Sequence, residues 1–252
     1  MDTIQKLTIL GEGAAQEHEL AAGQSAPSCF TPRQDSRERH RNSIPSHLFG
    51  AKNAKRFLPG GIHISQVGGS PRGFTTSGGR TVKLLKVLQT NVCEFDCFYC
   101  EHRASRDVPR TYVSPDELAK TFMQLHRARL VEGLFLSSGI TKKVDTMQER
   151  IVQTAEILRR RYRFKGYIHL KVMPGSSPAA VERTVQLADR VSLNLEAPTP
   201  GHLSRLSSKK EFLDAILTRM VWINRLTEEQ PGLARAGQIT QFVVGAVGES
   251  DL

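Results

Sequence analysis

Cys93, Cys97 and Cys100 fall within the run Asn91-Val92-Cys93-Glu94-Phe95-Asp96-Cys97-Phe98-Tyr99-Cys100, directly after an apolar stretch. Thiolates this closely spaced can ligate a metal without help from the rest of the chain. Soft sulfur donors select zinc, copper(I) or iron–sulfur centres over hard cations. A four-iron cluster takes four ligands, commonly four cysteines, so a loop offering three leaves one iron open to an exogenous molecule. An open iron is a reaction centre. Two other readings stand beside it. A disulfide framework needs an oxidising compartment, and residues 1–10, with Asp2 early and no apolar core, do not read as a signal peptide. A closed zinc site needs four ligands, which Cys29 or His102 would complete. Cys29, in a polar stretch containing proline, reads instead as a free thiol.

The elements that must position this loop follow from pattern. From Val82 onward the chain alternates strand and helix, with strands expected over residues 82–90, 133–138, 166–173, 190–196 and 239–245. The helices between them carry start signals. Ser114 with Pro115 and Glu117 forms a capping box, Ser177-Pro178 and Thr199-Pro200 repeat the cap-then-proline signature, and Thr146 with Glu149 offers another box. Apolar stripes run through Leu118, Phe122 and Leu125, through Met147, Ile151, Ala155 and Leu158, and through Leu213, Ile216, Leu217 and Met220. Strands separated by single helices imply right-handed crossovers and a parallel sheet. The cysteine loop follows the first strand and so belongs at the C-terminal mouth of a β/α barrel, where loops converge on a ligand.

Period-2 alternation then selects the other side chains at that mouth. Tyr167, His169, Lys171 and Met173 share one face of the third strand; Ser192, Asn194 and Glu196 share one face of the fourth. Polar rows of this kind point into the barrel while Ile168, Leu170, Val172, Val191, Leu193 and Leu195 pack on helices. Burying Lys171 and Glu196 in a dry site is costly without a charged ligand or an internal ion pair between them.

Residues 1–80 read as an irregular basic and glycine-rich extension, and residues 81–252 as the barrel core. Ile4, Leu7 and Leu10 have helical spacing. The charge run over residues 33–41 reads as a solvated tail, with phosphate contact the alternative. The glycine pairs at 60–61, 68–69 and 78–79 do not make a phosphate loop, since no Gly-Lys-Ser/Thr ending follows. No segment approaches the apolar run needed to span a bilayer. The net charge of +10 points to anionic company, nucleic acid or phosphorylated small molecules. Unpaired cysteines favour a reducing cytoplasm.

The Cys-x3-Cys-x2-Cys loop, with Tyr99 just before its last cysteine, resembles that of the radical S-adenosylmethionine (SAM) superfamily. The resemblance runs through roughly the last two-thirds of the chain. The stretches Leu134-Phe135-Leu136-Ser137-Ser138-Gly139, Gly166-Tyr167-Ile168-His169-Leu170-Lys171 and Val244-Gly245-Ala246-Val247-Gly248-Glu249-Ser250-Asp251 look most similar to the DNA modification/repair members. The resemblance implies an α/β fold, a partial parallel β/α barrel of six units. Five strands are evident, so the chain is expected to be incomplete after the fifth. It also implies a 4Fe–4S cluster on Cys93, Cys97 and Cys100, and SAM bound on the open iron. Reduced by an external electron donor, such a cluster cleaves SAM to a 5′-deoxyadenosyl radical.

The resemblance distributes further roles. Ser137, Ser138 and Gly139 stand where the family's Gly-Gly-Glu motif holds the SAM amino group, here without the acid. Asn194 and Glu196 match the position that meets the ribose or carboxylate, Lys171 meets the carboxylate or a substrate oxyanion, and Gly245 lets backbone approach the adenosyl portion. Nucleic acid is the implied substrate. A small-molecule enzyme of the biotin-synthase type, or a closed iron–sulfur or zinc protein that binds nucleic acid, are the alternatives.

Overall fold

The computed structural model describes residues 1–15, 74–75 and 81–248. Cys29, the charge run at 33–41, the three glycine pairs, and Glu249, Ser250 and Asp251 lie outside the described residues.

In chain order the elements are α1 (Thr3–Ala15), β1 (Phe74–Thr75), β2 (Thr81–Val82), β3 (Leu84–Leu88), α2 (Pro115–Arg127), β4 (Gly133–Ser137) and α3 (Val144–Glu156). There follow β5 (Ile168–Lys171), α4 (Pro178–Leu187), β6 (Arg190–Ser192), α5 (Pro200–Leu206), α6 (Arg219–Glu229) and β7 (Gln238–Ile239). Strands β3 to β7 form one sheet in sequential order, and every pair is parallel. The expected alternating α/β architecture is therefore present.

Strands β3, β4 and β5 are buried on both faces, as crossover helices require. One row, Leu85, Val87, Leu134, Leu136, Ile168, Leu170 and Val191, belongs to the core shared with the helices. The opposite row holds polar side chains in a connected layer. The Lys86 ammonium lies over the Phe135 ring, Phe135 meets His169 edge-on at 4.6 Å, and His169 Nε2 is 3.0 Å from Ser192 Oγ.

Helix starts follow the local code at α2 and α5 and depart from it at α4 and α3. Ser114 caps α2 and Glu117 closes the capping box; Thr199 Oγ1 accepts from the His202 amide at the start of α5. Ser177 takes the N-cap place of α4 without a side-chain bond, and its amide donates to Asp145 instead. The box expected at Thr146 does not form: α3 begins at Val144, which places Thr146 inside the first turn. The stripe through Leu213 is also corrected. Residues Leu213–Thr218 make a π-helical turn that leaves Leu213 exposed and buries Ile216. Another π-helical turn, Ile157–Arg161, extends α3 and keeps Leu158 buried.

The strand ends are shorter than the apolar runs suggest. Pairing in β6 stops at Ser192, because Leu195 bonds the Thr240 side chain and Glu196 turns left-handed at φ +67°. Contact with the last strand resumes as a single bridge from Glu196 to Phe242. The fifth strand is correspondingly Gln238–Ile239, not residues 239–245.

The opening helix belongs to the core rather than to a loosely packed extension. Leu7 and Leu10 of α1 are fully buried against β3, each contributing roughly 1.5–3 kcal/mol. Lys6 and Thr3 hold the helix to α2 through Glu117. Among the described residues no helix is long and apolar enough to cross a membrane.

Candidate metal centre

Past β3 the chain leaves the sheet through Gln89, Thr90 and Asn91, all buried, and turns into the cysteine loop. Buried amides and hydroxyls need partners, and here the partners are the returning strand of the same loop. Thr90 Oγ1 donates to the Thr111 carbonyl at 2.7 Å, Asn91 Nδ2 to the Pro109 carbonyl at 2.8 Å, and the Thr111 amide to Asn91 Oδ1 at 2.8 Å. Arg110 closes the loop. Its guanidinium donates to the carbonyls of Asn91, His102, Arg103 and Arg106 at 2.6 to 3.0 Å. A planar fork with five donors suits four carbonyls in a ring; an ammonium would not.

The loop after β4 backs this arrangement. Gly139 donates its amide to the Thr90 carbonyl at 2.7 Å, Glu94 donates to Ile140, and the Ile140 amide points at Cys93 Sγ at 3.5 Å. A Cβ on Gly139 would sit 2.2 Å from the Val92 carbonyl oxygen, so this close backbone approach requires glycine.

A third segment, residues 206–210, holds the loop from the other side. Phe98 donates its amide to Leu206, Ser207 Oγ reaches Asp96 Oδ1 at 2.6 Å, and the Ser208 amide reaches Asp96 Oδ2 at 3.1 Å. Burial alone would raise the Asp96 carboxyl, but these donors hold it down at about 2. Lys209 Nζ donates to the Glu94 carbonyl at 2.6 Å. Lys210 Nζ lies 2.7 Å from both the Tyr99 hydroxyl and Glu196 Oε1, with its side chain only 8% exposed.

These segments surround a cavity of about 380 Å³. Cys93, Cys97 and Cys100 line it together with Ser137, Ser138, Gly139, Lys171, Asn194 and Glu196, so the structure gathers all but one of the residues expected to hold cluster or SAM, while Tyr167, His169 and Ser192 of the polar rows do not line it. Gly245 is the exception. It stands exposed at φ +73° with open space around it, while Gln241, Phe242 and Val243 from the same stretch reach the cavity wall. Met173 and Pro174 also line the wall; Gly175 beyond them bonds the Ala215 carbonyl in the second π-helical turn.

The ion pair of Glu196 differs from expectation: its partner is Lys210, with the Lys171 ammonium adding to the field. Burial would raise the Glu196 carboxyl, yet the two ammonium groups and a hydrogen bond from Tyr99 hold it low. Burial also works against the Lys210 cation, but Glu196 and the neighbouring Cys97 and Cys100 push its pKa up. Tyr99 is raised well above an ordinary phenol by burial and by the charges of Glu196 and Cys97. Sequence reasoning missed Lys210, Asp96 and Arg110. Asp96 and Lys210 act through partners distant in sequence, Arg110 acts through backbone carbonyls, and Ser207-Ser208-Lys209-Lys210 reads locally as a solvated loop.

The donor set fits an iron–sulfur cluster. Burial lifts the Cys100 thiol to about 11, partly offset by the His102 amide, and Cys93 and Cys97 raise it further. Cys93, Cys97 and Cys100 line one cavity, as the soft donors of a cluster must. Ser138 Oγ and Asn194 Oδ1, on the cavity wall, are buried without a hydrogen-bond partner, the mark of a polar ligand site.

Solved structures that match part of the chain include HydG, a maturase of the FeFe-hydrogenase (16% identity, TM-score 0.46, 55% of this chain and 32% of that one). HydG from Carboxydothermus hydrogenoformans matches at 17% identity and TM-score 0.47 over the same shares, and methylornithine synthase (PylB) at 16% and 0.48 over 65% of this chain and 44% of that one. The chain thus spans less than half the length of these proteins. No curated protein matches. The family model described as the radical SAM superfamily matches residues 87–225, from the middle of β3 into α6 and across the whole cavity apart from Gln241, Phe242 and Val243. Members use a 4Fe–4S cluster and SAM, the two groups that the thiols and the polar wall suit, and the chain belongs to the radical SAM superfamily.

Proposed function

We propose that this chain carries the catalytic core of an enzyme that cleaves SAM reductively. The observation that carries the reading is the meeting of three thiols with two unpartnered polar atoms on one cavity wall. Cys93, Cys97 and Cys100 hold the cluster. When bound, the cluster supplies the electron that breaks the sulfonium S–C5′ bond, giving methionine and a 5′-deoxyadenosyl radical that takes hydrogen from the substrate.

The protein's own residues bind and orient. The backbone of Ser137, Ser138 and Gly139, with the Ser138 hydroxyl, receives the amino group of SAM; this takes the place of the missing acid. Asn194 and Glu196 meet the ribose hydroxyls, and Lys171 pairs with the carboxylate. The stretch before Gly245, through Gln241, Phe242 and Val243, approaches the adenosyl portion. Phe95 and Tyr99 shield the cluster, which favours a low potential. A one-electron donor from outside and a reducing compartment, the cytoplasm, complete the requirements.

The test is anaerobic reconstitution with iron and sulfide, then a 5′-deoxyadenosine assay with dithionite. Wild type binds iron and sulfide and forms 5′-deoxyadenosine, while Cys97→Ala does neither. Zinc alone, or iron uptake and cleavage unchanged in Cys97→Ala, overturns the reading.

A second reading follows the likeness to the DNA modification/repair members: nucleic acid as a bound partner, supported by a basic groove. At the end of the sheet away from the cysteines, an open groove of about 760 Å³ is lined by Arg159, Arg160, Arg163, Lys165 and Arg235, with Asp189 its single acid. Asp189 is already paired with Arg159. Arg160 lies 3.9 Å from Glu156, which leaves Arg163, Lys165 and Arg235 to meet a phosphate backbone. Binding to DNA or RNA that weakens steeply with salt, and weakens further in Arg163→Gln/Lys165→Gln/Arg235→Gln, supports this; salt-independent or absent binding removes it.

A further inference from the structure

Two arms of the cavity wall, the cysteine loop and the end of β6, are far apart in sequence. Residues 206–210 touch both. Ser207, Ser208 and Lys209 grip the cysteine loop at Asp96 and Glu94, and Lys210 then spans from Tyr99 to Glu196. Tyr99 sits between the ligands Cys97 and Cys100, and its ring also faces the Lys210 ammonium at 5.4 Å. Glu196 is held left-handed at φ +67°, a conformation unfavourable for a non-glycine residue that persists only when its surroundings enforce it.

Charge points the same way. Among the buried charged side chains on the cavity wall, Lys171 and Lys210 are cations and Glu196 is the anion. A buried site with excess positive charge is costly unless an anionic body shares it. A cluster on three thiolates is such a body, and it gains one further negative charge when an external donor adds an electron.

We propose that Lys210 is a positioning residue for the metal centre, locking Tyr99 to Glu196 and balancing the charge that the cluster acquires on one-electron reduction. The inference rests on the cluster reading above. It assigns to Lys210 two measurable effects: a less negative midpoint potential than the thiolates alone would give, and a Glu196 carboxylate fixed where SAM meets it.

The test compares wild type with Lys210→Met, Lys210→Gln and Lys210→Arg, each reconstituted anaerobically. Iron content, the midpoint potential from an EPR-monitored dithionite titration, and SAM affinity by calorimetry are measured. Both neutral variants take up iron at the wild-type level, their potentials shift negative, and SAM binds about tenfold more weakly. Lys210→Arg, which keeps the charge, restores the potential. Unchanged potentials in iron-loaded neutral variants overturn the proposal. Loss of iron from both neutral variants also overturns it, since Lys210 would then serve only to fold the loop. A wild-type protein that takes up no cluster fails the preceding reading instead, so the two failures are distinguishable.

Discussion

Gly139 and Val92 approach so closely that a side chain on the glycine would collide with the Val92 carbonyl, 2.2 Å from the position of its Cβ. The obstacle is backbone on both sides, which cannot swing away as a side-chain tip would. Gly139→Ala therefore separates the β4 loop from the cysteine loop, at a cost of about 1–3 kcal/mol typical of overpacking. Urea denaturation will show the lowered stability, and iron content after reconstitution will fall with it. Wild-type values for both would refute the close approach.

Arg110 donates to four carbonyls of the cysteine loop. Hydrogen bonds from a charged donor contribute about 1.5–3 kcal/mol each in protected positions. Arg110→Ala should loosen residues 91–110 while the barrel stays folded. Hydrogen exchange followed by mass spectrometry will report lost protection confined to that loop. Arg110→Lys should rescue little, because one ammonium cannot face four carbonyls.

Ser138 Oγ is buried on the cavity wall with no partner. An unsatisfied buried hydroxyl costs stability, about 1–3 kcal/mol for a polar group left unpaired. Ser138→Ala is thus expected to stabilise the apoprotein, raising its unfolding midpoint, while weakening SAM binding about tenfold in the reconstituted protein. A variant that is less stable and binds SAM normally would show the hydroxyl to be structural.

Glu117 joins α1 to α2, and its carboxyl lies below the usual value of 4.5. Burial would raise it; Thr3, Lys6 and the Ser114 amide outweigh that. A carboxyl depressed by folding adds stability that is complete above its unfolded pKa and disappears as pH falls through the folded one. Wild type should therefore lose stability on acidification below about pH 4.5 more steeply than Glu117→Gln, measured by urea unfolding across that range. Parallel curves would remove Glu117 from the docking of α1.

The cysteine trio, the strand order and the inward polar rows were legible because each depends on local spacing. Three thiols in one turn need no distant partner to announce themselves, and Ser114 with Glu117 encodes a helix start within four residues. Lys171, Asn194 and Glu196 follow from alternation along a strand. Lys210 does not, since its role exists only once Tyr99 and Glu196 meet it in space. Arg110 is hidden likewise: its partners are carbonyls, which no side-chain pattern records. Strand ends also escaped prediction, because the ladder stops where Glu196 turns left-handed and Thr240 substitutes a hydroxyl for a backbone acceptor.

The burial of Leu7 and Leu10 against β3 has a consequence for biosynthesis. At about 5–20 residues per second the ribosome delivers β3 several seconds after α1. Until then the two leucines have no shelter, and the nascent helix is a candidate client for chaperones that bind short apolar segments.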